Sequence, residues 1–113
     1  MAGMFALWSV HQTDAFAVCG SCSGSLWYSG FTDYLEQNAL KTPCSVYLSL
    51  GEREEKTRHP WFAQVGDATR RAAALMGASP IVKETILVWH PGGHLGSVGE
   101  RLAAAQLWMA GHL

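Results

Sequence analysis

Residues 89–98 read WHPGGHLGSV, Trp89 to Val98, and the organisation of the chain follows from them. An apolar, β-prone run, Ile86-Leu87-Val88-Trp89, leads in, and a helical pattern from Gly99 to Ala110 leads out. A strand, a glycine-rich loop and a helix in that order make one step of an α/β fold. Glycines at 92, 93 and 96 let the backbone turn sharply and carry the His94 imidazole over the edge of a sheet. His90 precedes His94 by four residues, the spacing of a helical metal pair. Pro91 and Gly92-Gly93 forbid a helix between them, so no metal site is expected.

Working back from this loop, Ile81–Trp89 is expected to form a strand and Trp61–Met76 a helix that stops at Gly77. Gly51–Pro60 is a charged loop, and Ser45–Leu50 (SVYLSL) is a strand, β-branched and aromatic as strands are. Thr42-Pro43 interrupts the chain after a short helix over Phe31–Asn38. Gly20–Gly24 (GSCSG) is a loop after a short strand, Ala15–Cys19. Ala2–Val10 is apolar on nearly every side and predicts a buried helix. Alternation of helix and strand predicts a parallel sheet with right-handed crossovers and helices on both faces. Three strands make a thin sheet, so the chain is expected to be half of a wider one, the other half lying before Met1.

The 113 residues allow one domain, with no repeat or linker. With 49% hydrophobic and 15% charged residues the chain is globular. A net charge of −1 offers no attraction for nucleic acid or anionic lipid. No apolar run approaches the ~18 residues of a membrane span, and Met1–Val10 lacks the basic start of a signal peptide. The three cysteines, Cys19, Cys22 and Cys44, fit reduced thiols in a cytoplasmic compartment better than a disulfide frame.

Four pieces of the chain, MAGMFALWS at 1–9, SGSLWYSGFTDYL at 23–35, VYLSLGEREEKTRHP at 46–60 and WHPGGH at 89–94, are together similar to one family. They resemble, in order, the C-terminal half of an α/β-hydrolase of the esterase group that includes enterochelin-esterase-like and S-formylglutathione-hydrolase-like proteins. The resemblance implies a partial α/β-hydrolase fold over residues 1–113, in which Met1-Ala2-Gly3 matches the stretch just after the nucleophile. The catalytic serine and the loop supplying an oxyanion-hole N–H would then lie upstream of Met1. It implies His94 as general base and a carboxylate of the Gly51–Pro60 loop as the acid that orients it. Glu54, three residues after Gly51, is the first choice, Glu52 the second and Glu55 the third. The plain alternative is that GEREEKTR is a solvated charged loop. Trp27 and Tyr28 are expected to wall the substrate cleft, or else to pack as core. His11 and His59 are expected at the surface.

These expectations amount to the acid and base half of a serine esterase acting on a small or medium acyl ester, with no cofactor, inactive alone, and prone to self-association or to pairing with the missing N-terminal half. Two alternatives remain open. Gly20-Ser21-Cys22-Ser23-Gly24 fits Gly-x-nucleophile-x-Gly and makes Cys22 the nucleophile of a cysteine hydrolase. The chain could instead be a non-catalytic α/β module that associates through its open edge.

Overall fold

A computed structural model describes all residues, 1–113. Three strands, β1 (Val18–Cys22), β2 (Cys44–Gly51) and β3 (Val82–His90), form one sheet in the order β1-β2-β3. Both pairings are parallel, with Gly20 opposite Tyr47 and Tyr47 opposite Ile86. The helices are α1 (Ala2–Ser9), α2 (Phe31–Gln37), α3 (Val65–Ala78) and α4 (Val98–Ala110). The alternating order predicted from the sequence is present, with helices on both faces of the sheet.

Every residue of the central strand β2 is buried, which is why its sequence is nearly continuous in small and apolar side chains. Cys19, Val46 and Leu48 point to one face and pack with Leu7 of α1, Phe31 and Leu35 of α2, and Ala72 and Met76 of α3. α4 covers the other face, where Trp108 meets Tyr47 at 5.7 Å between ring centres. α3 buries Val65, Thr69, Ala72 and Met76, one stripe of a 3.6-residue period. Its opposite face carries Arg70, paired with Glu55, and Arg71, paired with Asp33 and Glu36. No helix is long and apolar enough to cross a membrane.

Several local expectations are corrected. β1 lies three residues later than Ala15–Cys19: Phe16 is exposed, and GSC of the supposed GSCSG loop is strand. The apolar run at 15–17 has the composition of a strand, but the ladder partners on β2 begin at Ser45, opposite Val18. The helix expected from Trp61 opens as a separate 3-10 turn at Phe62–Gln64, and Gly77 lies inside α3 rather than ending it. α1 is not wholly buried, for Phe5 is 62% and Trp8 41% exposed. Only the Gly3 and Leu7 side of that helix faces the sheet.

That contact is close. A Cβ on Gly3 would stand 2.7 Å from the Gly24 Cα and 2.8 Å from Ser21 Oγ. Alanine is the better helix former by about 1 kcal/mol. Backbone cannot yield as a side-chain tip can, so overpacking dominates. Overpacking costs about 1–3 kcal/mol, so Gly3→Ala is expected to destabilise the fold by up to about 2 kcal/mol net, read as a lower urea midpoint.

His11, expected at the surface, is instead buried just beyond α1, with its Nδ1 2.8 Å from the Leu7 carbonyl. The carbonyl only accepts, so Nδ1 carries the proton and Nε2 is left buried without a partner. Burial lowers its pKa, outweighing the support of the Leu7 carbonyl. The folded state therefore resists taking up a proton that the unfolded chain accepts near pH 6.5. Above that pH there is no penalty; as pH falls below it toward the folded pKa, stability is lost. His11→Gln is expected to flatten the decline of the urea midpoint between pH 7 and pH 5.

Candidate active site

The C-terminal ends of parallel strands share one edge of the sheet, so the loops after β1, β2 and β3 converge there. Two backbone bonds extend the ladder beyond the strands: Glu52 N–H donates to the His90 carbonyl at 2.8 Å and Arg53 N–H to that of Gly92 at 3.0 Å. The loop bearing the glutamates and the loop bearing His94 are thus zipped together. Gly92 takes φ 91, the left-handed region that glycine occupies without strain, and turns the chain back.

Glu54 and His94 meet at this edge, with Nδ1 2.8 Å from Oε1. A carboxylate only accepts, so Nδ1 carries the proton and donates. Nε2 has no protein partner, and the ring is largely exposed at the cleft. The Glu54 side chain is almost wholly buried. Its second oxygen accepts from Ser23 Oγ at 2.7 Å and from the Gly51 N–H at 2.6 Å. Burial pushes the carboxyl pKa up. The donors from Ser23, Gly51 and His94 together outweigh it, so the group titrates below the usual carboxylate range.

The other two glutamates face elsewhere. Glu55 turns to α3, where Arg70 donates to both its oxygens at 2.7 and 2.9 Å, and it lies so close over Gly66 that no Cβ fits there. Glu52 is exposed, and its carboxylate meets no donor of the chain. Of the three candidates, only Glu54 reaches His94.

A cleft of about 430 Å³ opens beside the imidazole, lined by Ser23, Ser25, Trp27, Arg53, Phe62 and others. Trp27 forms its aromatic wall with Phe62, at 5.3 Å between ring centres, and exposed His59 stacks on Phe62 at 4.1 Å. Tyr28, expected beside Trp27 in the same wall, faces away into an apolar groove with Phe5, Trp8 and Phe31. Consecutive residues in the turn after Leu26 point in different directions, and sequence adjacency gave no warning of it. The N-terminus of α1 abuts the cleft: the Met1 nitrogen is 3.1 Å from Ser25 Oγ.

Cys22 is the last residue of β1, opposite Ser49, and does not line the cleft. Cys19, three residues away, points to the other face of the sheet. Burial pushes its thiol pKa up to about 12. All three cysteines are free, and no group of three or more His, Cys, Asp or Glu side chains is arranged to hold a metal ion. Sequence reasoning missed Ser23, whose φ of 49 swings its hydroxyl to Glu54, and Arg101, buried behind the carboxylate. A lone arginine heading the apolar-rich helix RLAAAQLWMA was the one available signal for the latter.

Two solved structures are similar to this chain in fold. Siderophore hydrolase EstA from Aspergillus nidulans superposes with a TM-score of 0.70 at 19% identity, over 96% of this chain and 44% of its own. The fold is a partial α/β-hydrolase. Siderophore hydrolase EstB from the same organism gives a TM-score of 0.64 at 16% identity, over 97% of this chain and 46% of its own. The chain spans less than half the length of either neighbour. No protein-family model and no curated protein matches the sequence.

Proposed function

We propose that residues 1–113 supply the acid and base of a serine carboxylic-ester hydrolase, with the nucleophile contributed by polypeptide outside these residues. One observation carries this reading. A buried, ionised Glu54 fixes the tautomer of an exposed His94 and leaves Nε2 as the free basic atom beside a cleft of ligand size. In acyl transfer, Nε2 takes the proton of an attacking hydroxyl and returns it to the leaving alcohol, while Glu54 stabilises the imidazolium formed in between. The hydroxyl belongs at the N-terminus of α1, because a nucleophile elbow is a tight turn from strand into helix and that helix end abuts the cleft. Trp27 and Phe62 would receive the apolar part of a small ester.

Fused behind an upstream α/β-hydrolase half that ends in Gly-x-Ser, the chain is expected to turn over p-nitrophenyl acetate. The 113-residue chain alone is expected to do no better than free imidazole, since on this reading the nucleophile and the loop that completes the oxyanion hole lie outside it. Fusions that fold and bind but show no His94-dependent turnover overturn the proposal. The cysteine reading is disfavoured because Cys22 lies outside the cleft, and Cys22→Ala is expected to leave turnover of the fused protein unchanged.

A further inference from the structure

Arg101 is the one basic residue of α4, and it is only 4% exposed. Arginine is almost never this buried unless paired, because its hydration is lost. Its Nη2 donates to the Pro91 carbonyl at 2.7 Å, and its Nη1 stands 3.7 Å from Glu54 Oε2. The guanidinium therefore touches the histidine loop through Pro91 and the acid loop through Glu54.

Two glycines around it leave room for the same group. A Cβ on Gly51 would come within 3.0 Å of Nη2 and one on Gly96 within 3.2 Å. Both loops are thinned where the guanidinium passes between them. For stability alone, an apolar side chain of similar volume does as well or better than a buried ion pair. The arrangement is explained if the cation serves the carboxylate.

We propose that Arg101 is a positioning residue, one that sets the spacing of the acid and histidine loops and holds the Glu54 carboxylate with Oε1 aimed at His94. This rests on the acid–base reading above, but its test reads no ester turnover. In the 113-residue chain, the Glu54 carboxyl is titrated by carbon-detected NMR and the His94 Nδ1–H resonance is followed by nitrogen-15 spectra. Arg101→Met is expected to raise the Glu54 midpoint by about one pH unit, the lower end of what a neighbouring cation does, and to broaden the Nδ1–H signal. Arg101→Lys, which keeps the charge, is expected to recover most of the midpoint. Arg70→Met, which removes a cation from Glu55 instead, is expected to leave Glu54 unmoved. A folded Arg101→Met chain whose Glu54 titrates as in the parent overturns the proposal.

If the methionine variant does not fold, the parent chain decides. Its Arg101 guanidinium resonances are expected to shift with the Glu54 midpoint, and resonances indifferent to that titration overturn the proposal. Failure of the acid–base reading looks different. Glu54 and Arg101 would still titrate together, while the fused protein would lack His94-dependent turnover.

Discussion

In the fused, nucleophile-bearing protein, His94→Ala is expected to lower kcat for a simple ester by on the order of 10^5- to 10^6-fold. The magnitude follows from the geometry. Nε2 is the only basic atom at the cleft with a fixed tautomer, and Glu54 holds that tautomer from the far side of the ring. Without the imidazole, a serine hydroxyl has no acceptor for its proton, and the leaving alcohol has no donor. Glu54→Gln is expected to cost less, on the order of 10^4-fold. Its volume is kept, but the amide lacks the charge that stabilises the imidazolium. It also presents an N–H₂ that conflicts with the donors from Ser23, Gly51 or His94, whichever it faces. Glu55→Gln and Glu52→Gln are expected to leave kcat within a few-fold of the parent, since one is bound to Arg70 and the other faces solvent. A loss on Glu52→Gln comparable to that on Glu54→Gln would show that the acid has been misassigned. Steady-state hydrolysis of p-nitrophenyl acetate, with each variant checked for folding by circular dichroism, makes the comparison.

The second large effect is expected at Gly51. This residue ends β2, pairs with His90 and donates its N–H to Glu54. A Cβ there would stand 2.5 Å from the Gly92 carbonyl oxygen and 3.0 Å from both Glu54 Oε2 and an Arg101 nitrogen. The side-chain tips can move a little, but the carbonyl belongs to a backbone already turned by the positive φ of Gly92. The loops must separate, and the Glu54–His94 pair separates with them. A misplacement of about 1 Å in a catalytic group costs on the order of 10^2-fold in rate, and the overpacking itself about 1–3 kcal/mol. Gly51→Ala in the fused protein is thus expected to lose on the order of 10^2-fold in kcat and to unfold at lower urea. Gly93→Ala is its control, because a Cβ on Gly93 would meet nothing within 4 Å. Equal turnover in the two variants would mean that the loops tolerate separation.

Strand β3, helix α4 and the loop between them were legible from the chain, because each is set by neighbours in sequence. The apolar run of residues 86–89 favours strand, Pro91 and the glycines stop it, and an alanine-rich segment starts the helix. The buried central strand was legible for the same reason. β1 was not: the apolar run stops at Cys19, and only pairing with β2 carries the strand over Val18–Cys22. α1 showed its hydrophobicity but not which side faces the sheet, since a helix apolar all round has no moment to orient it.

By itself the sequence determined a parallel α/β order and the convergence of a histidine loop and an acidic loop at one sheet edge. Local propensity and the handedness of crossovers suffice for that. Only the tertiary structure decided which of three neighbouring glutamates faces the histidine. Successive residues of a short 3-10 turn point in different directions, and their partners come from elsewhere: Arg70 on α3 draws Glu55 away, while Ser23, just after β1, donates to Glu54 and Arg101 from α4 stands 3.7 Å from it. These partners lie between 15 and 47 residues away along the chain, from Arg70 and Glu55 to Arg101 and Glu54. Their meeting depends on packed elements rather than on spacing in sequence, so no local pattern announced it.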